Sequence, residues 1–233
     1  MSPGKASQFP SKLEAGYRSF LNDRLVRERQ RYETLAQQGQ SPEVMVIGCC
    51  DSRVSPEVIF DASPGEIFVA RNVANLVPPY ETGGEYHGTS AALEFAVQAL
   101  KVKHIVVLGH ARCGGIRAFA EQAAPLSSGD FIGNWMSLIA PAAKRVAARG
   151  DAADHLHRLE LAVIELSLAN LMSFPCIRIL VERGRLHLHG AYFGVADGVL
   201  LLRDPATGRF ERLVDATASA SDETIFDTNN AQP

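Results

Sequence analysis

No apolar run in this 233-residue chain is longer than a strand, which excludes a membrane-spanning helix. The amino terminus, Met1-Ser2-Pro3-Gly4-Lys5, lacks the apolar core of a secretory signal. Charge is nearly balanced, with a formal net of −3, so a nucleic-acid binder working by general electrostatic attraction is excluded. There are only 4 cysteines (Cys49, Cys50, Cys113, Cys176), and their spacing is not that of a disulfide framework. In a reducing compartment such cysteines serve metals or chemistry, and the cytoplasm is the expected location. There is also no Gly-x-Gly-x-x-Gly, no Walker loop and no serine nucleophile elbow.

What the chain has instead is two apolar strands that each stop at polar, metal-ligating residues. Val44 to Gly48 ends at Cys49-Cys50-Asp51-Ser52-Arg53, and His104 to Gly109 ends at His110-Ala111-Arg112-Cys113-Gly114-Gly115. In an open parallel sheet the carboxyl ends of neighbouring strands lie side by side, so Cys49 can meet His110 and Cys113 there. Two thiolates and one imidazole suit Zn2+ with a fourth position to spare. A helix opening at Gly114 favours the Cys113 thiolate through its amino-terminal dipole. Cys50, adjacent to Cys49 on a strand, is expected on the opposite face. Asp51 and Arg53, two apart on extended backbone, are expected on the Cys49 face. Asp51 then either ligates the metal or pairs with Arg53 and leaves the metal open to water.

Around these strands the pattern is that of an α/β domain. Phe9 to Gln38 reads as a charged helix or helix pair, with Leu13, Tyr17, Phe20, Leu21 and Leu25 at helical spacing and Gly39 as the stop. Strands are expected at 44–48, 67–70 and 105–108. A late strand over 186–195 is expected to pair with 199–202 through the Asp197-Gly198 turn. Helices are expected over 88–100, from Gly114, over 131–149 and 153–172, and up to Gly184. Ser55-Pro56 reads as the start of a short helix, with Ser55 as its cap. The whole chain, 1–233, reads as one domain, with residues 9–38 as a helical arm and 216–233 as a flexible tail.

Cys49-x-Asp51-Ser52-Arg53 followed by His110-x-x-Cys113 resembles the signature of the β-class carbonic anhydrases. Pro64-Gly65-Glu66, the run Arg71 to Tyr80 and the run Gly109 to Ile116 resemble the same family, so the likeness spans roughly Gln40 to Gly198. It implies a central parallel β-sheet flanked by α-helices, with the amino-terminal helices packed on a partner in a homodimer or higher homo-oligomer. It implies reversible hydration of CO2 to bicarbonate by zinc-hydroxide attack, with Cys49, His110 and Cys113 as zinc ligands and Asp51–Arg53 as the catalytic dyad. Asp51 would ligate zinc only in a closed state. The resemblance also assigns Gln40, Phe68, Val73, Phe95 and the Gly114 N–H to the substrate pocket. A regulatory bicarbonate site found in part of the family is not expected, because Val46 and Phe193 stand where its Trp and Tyr would be, although Arg71 matches. Two alternatives remain: hydrolysis of CS2 or COS on the same scaffold, and a non-catalytic zinc protein. No nucleic-acid or membrane partner is expected.

Overall fold

The computed structural model describes residues 9–83, 87–146 and 151–213. The flexible tail expected over 216–233 lies outside the described residues. The chain opens with two helices, α1 (Ser11–Asn22) and α2 (Arg24–Gln38), so the arm is the helix pair rather than one helix. Gly39, with φ 78°, ends α2 in a conformation that side chains rarely adopt. β1 (Val44–Cys49), the short α3 (Pro56–Ile59) and β2 (Ile67–Asn72) follow. Ser55 precedes α3 without capping it, because its hydroxyl bonds Glu57 Oε2 at 2.7 Å instead.

α4 (Gly88–Glu94) runs directly into a π-helical turn over Phe95–Leu100, and β3 (His104–His110) leads into α5 (Gly114–Ala120). The expected helix from Phe131 is two helices, α6 (Phe131–Met136) and α7 (Ala140–Arg145), joined by a 3-10 turn. Pro141 supplies the physical reason, since a proline early in α7 cannot donate the hydrogen bond a continuous helix needs. Arg149, the expected end, lies outside the described residues. The long α8 (Ala152–Leu171) and α9 (Pro175–Glu182) precede β4 (His187–Phe193), β5 (Leu200–Arg203) and β6 (Phe210–Arg212).

The six strands form one sheet in the order β2-β1-β3-β4-β5-β6. The first four are parallel, as expected, while β5 and β6 extend the sheet antiparallel and make it mixed. β6 was not expected. Its cue is the turn before it, where the Asp204 carboxylate accepts the N–H groups of Ala206 and Thr207 and Gly208 takes φ 72°.

Side chains alternate across the sheet. Met45, Ile47, Ile105 and Val107 face Leu93, Val97, Ile164, Leu171 and Ile177 in the main core, built with α4, α8 and α9. Val46, Leu108 and Ala191 face the other way, where Val44, Ile67, Val69 and Leu200 remain only partly buried. A second apolar cluster, with Leu76, Ile116, Ile139, Leu159 and Val163, packs at the carboxyl ends of the strands around Cys49 and Cys113. Among the described residues no single helix is long and apolar enough to cross a membrane. α8 and α9 reach that length only together, and they meet at 91°.

Candidate metal centre

Register decides where the ligating residues meet. Val44 pairs with His104 and Gly48 with Leu108, so β1 and β3 finish at the same edge. There Cys49, His110 and Cys113, all buried, bring one ligand atom each to within 4.8 Å of one another. His110 Nδ1 donates to the Ala111 carbonyl at 3.0 Å, which fixes the tautomer and leaves the Nε2 lone pair facing the sulfurs. Nε2 is buried and has no hydrogen-bond partner among the described residues. An orphaned imidazole nitrogen beside two thiols fits a zinc ion, which takes sulfur and nitrogen donors in this proportion.

Charge is prepared at the sulfurs. The S–H of Cys113 draws the Cys49 thiol well below its ordinary range against the cost of burial, helped by His110 and by the N–H groups of Asp51 and Ala74. The resulting thiolate pushes the Cys113 thiol up, so the pair holds one negative charge readily and a second only against repulsion. The helix dipole expected to favour the Cys113 thiolate is outweighed by this neighbour, and α5 is only seven residues long. Burial works against the His110 imidazolium, but contact with Cys49 raises its pKa on balance. A divalent cation relieves the whole set by replacing the shared protons.

Asp51 stands at the edge of this cluster in a turn, not on the extended backbone expected. The strand ends at Cys49, and the Val54 N–H closes the turn on the Asp51 carbonyl at 3.1 Å. The turn brings Arg53 back to grip both carboxylate oxygens, Nε to Oδ1 at 2.9 Å and a terminal nitrogen to Oδ2 at 2.8 Å. This fork holds the carboxyl well below the usual carboxylate range. Arg71 braces the same turn from β2, donating to the carbonyls of Cys49 and Asp51, each at 2.8 Å. Arg71 thereby fixes backbone.

The residues expected to line a substrate pocket separate into two groups. Val73 and Gly114 lie at the metal cluster: the next residue, Ala74, points its N–H at Cys49 Sγ (3.4 Å), and nothing stands within 4 Å of where a Gly114 side chain would be. Phe68 and Phe95 instead pair with each other at 5.9 Å between ring centres. Phe68 is opposite Met45, four residues along from the Cys49–Asn72 pair, which is about 13 Å at 3.3 Å per residue. Gln40, exposed, precedes the amino end of β1. Within one chain these three side chains stand at the opposite end of the strands from the cluster.

Several residues hold backbone in ways the sequence did not show, among them Asn72, which with Arg71 was expected only as a strand end with a possible anion contact. The buried Glu160 of α8 accepts the Cys113 N–H at 2.9 Å and the Tyr192 hydroxyl at 2.8 Å, and His157 Nδ1 lies 3.0 Å from that hydroxyl. The Asn72 amide holds both backbone groups of Leu76 at 2.8 Å, closing the loop in which Ala74 (φ 67°) and Asn75 (φ 48°) are left-handed. Trp135 anchors the same loop by donating to the Val73 carbonyl. An acid at the core stripe of a long helix, here Glu160, is the one such cue the sequence offered. Cys50 is exposed and outside the cluster, as its alternate position on the strand implied, and Cys176 is half-buried elsewhere.

The family described as carbonic anhydrase matches residues 44–200. The chain therefore belongs to the carbonic anhydrases, and its relatives place it in the β class. It is 41% identical over 174 residues to β carbonic anhydrase 5, chloroplastic, of Arabidopsis thaliana, a match covering 72% of this chain and 56% of that protein. The chain thus spans little more than half the length of that relative. The β-carbonic anhydrase CcaA superposes with a TM-score of 0.81 at 28% identity, over 88% of this chain and 92% of the other. A tetrameric β-carbonic anhydrase of the ascomycete Sordaria macrospora does so with a TM-score of 0.70 at 29% identity, over 87% and 95%. β-Carbonic anhydrases use zinc, and the cluster of Cys49, His110 and Cys113 is able to bind a metal ion.

Proposed function

We propose that this protein is a zinc-dependent carbonic anhydrase catalysing CO2 + H2O ⇌ HCO3− + H+. The observation that carries the reading is the convergence of Cys49, His110 and Cys113 on one point, with the Asp51–Arg53 fork at its edge. Zinc, when bound by these three side chains, would lower the pKa of a water molecule far below that of bulk water and so supply the nucleophile. Arg53 keeps Asp51 ionised and oriented. Oδ1 is filled by the Arg53 backbone N–H and Nε, but Oδ2 takes only one Arg53 nitrogen and retains a lone pair that can accept the nucleophile's proton in a hydrogen bond and so turn its attacking lone pair towards carbon. The Gly114 N–H, first in α5 and unpaired within the helix, is placed to donate to an oxygen of the bicarbonate formed. Val73 gives the pocket an apolar wall that suits an uncharged linear substrate.

The rest of the pocket is supplied by a second copy of the chain. Gln40, Phe68 and Phe95 cannot serve their own cluster from the far end of the strands, but in a homo-oligomer they can serve the partner's. The arm supports this reading, since Leu13, Tyr17 and Val26 are each more than half exposed and no residue of α1 or α2 is buried. The fold shared with a tetrameric relative also supports homo-oligomerisation. We place the enzyme in the cytoplasm, a reading supported by four unpaired cysteines, which suit a reducing compartment. No observation favours CS2 or COS hydrolysis, or a purely structural zinc. The test is Asp51→Asn in zinc-loaded protein. Loss of CO2 hydration with zinc retained supports the dyad, and unchanged hydration would remove Asp51 from the mechanism.

A further inference from the structure

The amino ends of β3 and β4 carry three histidines that the reaction does not use. Parallel pairing sets His104 opposite His187 and Val106 opposite His189, so all three imidazoles stand on one face of the sheet. The rings of His104 and His187 stack with centres 5.3 Å apart, and that of His189 lies 5.2 Å from His104. His104 Nδ1 is 3.1 Å from His189 Nε2. Two nitrogens held by one metal at about 2.0–2.1 Å, with an angle between about 90° and 109°, stand about 2.9–3.4 Å apart. The observed spacing is that of one edge of a coordination polyhedron.

A hydrogen bond between two neutral imidazoles accounts for that distance equally well, so the case rests on the company the pair keeps. His187-x-His189 on a strand presents both rings to one side, and His104 meets them from the next strand. His187 is exposed, and the site requires its ring to rotate so that a nitrogen joins the pair. Among the described residues no side-chain hydrogen bond or ion pair ties any of the three rings to a group outside the trio. The neighbouring carboxylate, Glu43, is committed to Lys103. Imidazole donors without thiolate or carboxylate suit borderline cations, not Ca2+ or Mg2+.

We propose that His104, His187 and His189 form a second metal site, for Zn2+, Ni2+ or Cu2+, at the amino ends of β3 and β4, the far end of the strands from the thiolate centre. It ties β3 to β4 and takes no part in CO2 hydration. The test is equilibrium dialysis of the zinc-loaded protein against increasing free Zn2+, with metal analysis. The wild type is expected to rise from one zinc per chain to two, and the double variant His187→Asn, His189→Asn to stop at one while hydrating CO2 at the wild-type rate. The single variant His187→Asn, at an exposed position that endangers folding least, is expected to weaken the second equivalent about tenfold or more. A wild type that stops at one zinc overturns the site. So does a second equivalent that survives both variants, which would assign it to a scattered ligand such as Cys50. Because the readout is stoichiometry, it stands or falls separately from the catalytic reading.

Discussion

Two arginines hold one acidic turn from opposite sides. Arg53 takes the Asp51 carboxylate and Arg71 takes the carbonyls beneath it, so the carboxylate is fixed relative to the cluster by side chain and backbone together. Asp51→Asn removes the charge and one acceptor but keeps the shape. CO2 hydration should fall by about 10²-fold or more, measured by stopped flow, with zinc content unchanged. Cys49→Ser should instead lose zinc, measured by metal analysis after dialysis, because a hydroxyl is a poor ligand beside two softer donors. Arg71→Ala should keep zinc yet cost about 1–2 kcal/mol in urea unfolding, since two carbonyls lose a charged donor at a partly solvated site. At this scale the ligands were legible because apolar strands that end in Cys and His have few other uses. Glu160 and Asn72 were not, because what they hold is backbone brought close only by folding.

The elements carry their own tests. α2 is fastened to the body of its own chain, and its fastening point is the turn before β2. Arg31 donates to the Pro64 carbonyl and pairs with Glu66, while Leu35 lies against Gly65. Gly65 has φ 85°, and a Cβ there would come within 2.7 Å of Leu35. Gly65→Ala should therefore cost about 1–2 kcal/mol, read as a lowered Tm, from left-handed strain plus displacement of Leu35. Near the amino end of β4, burial lowers the His189 pKa, with repulsion from His104 and His187 adding to it. In the unfolded chain this imidazole protonates near about 6.5, whereas in the folded chain it resists. Its contribution to stability is thus complete above about pH 6.5 and is lost as pH falls below that. Urea unfolding of metal-free protein should show a steeper loss between pH 7.5 and 5.5 than His189→Asn does. Element identity was largely legible from apolar periodicity. The misses have local causes: Pro141 splits a helix, and a turn closed by Asp204 adds β6 in the stretch between the last expected strand and the expected tail.

For the whole molecule, the decisive feature is that the residues assigned to one pocket lie at two ends of the same strands. The family likeness supplied that list of residues, but only the register separates Val73 and Gly114 from Gln40, Phe68 and Phe95, so the division was not legible in the sequence. It makes a prediction about mixtures. Cys49→Ser lacks the metal half of the site and Gln40→Ala with Phe95→Ala lacks the partner half, so each alone should be inactive or nearly so. Co-refolded in equal amounts, half the dimers pair unlike chains and one of their two sites is intact, so about a quarter of wild-type activity should return. A mixture no more active than its components would place the whole pocket within one chain. All of this presupposes the central claim, which one measurement addresses most directly: stopped-flow CO2 hydration by the zinc-loaded protein from neutral to alkaline pH. Two thiolates on the metal make its water less acidic than three imidazoles would, so turnover should climb as pH rises. Protein that holds one zinc at Cys49, His110 and Cys113 but hydrates no CO2 at any pH would contradict it.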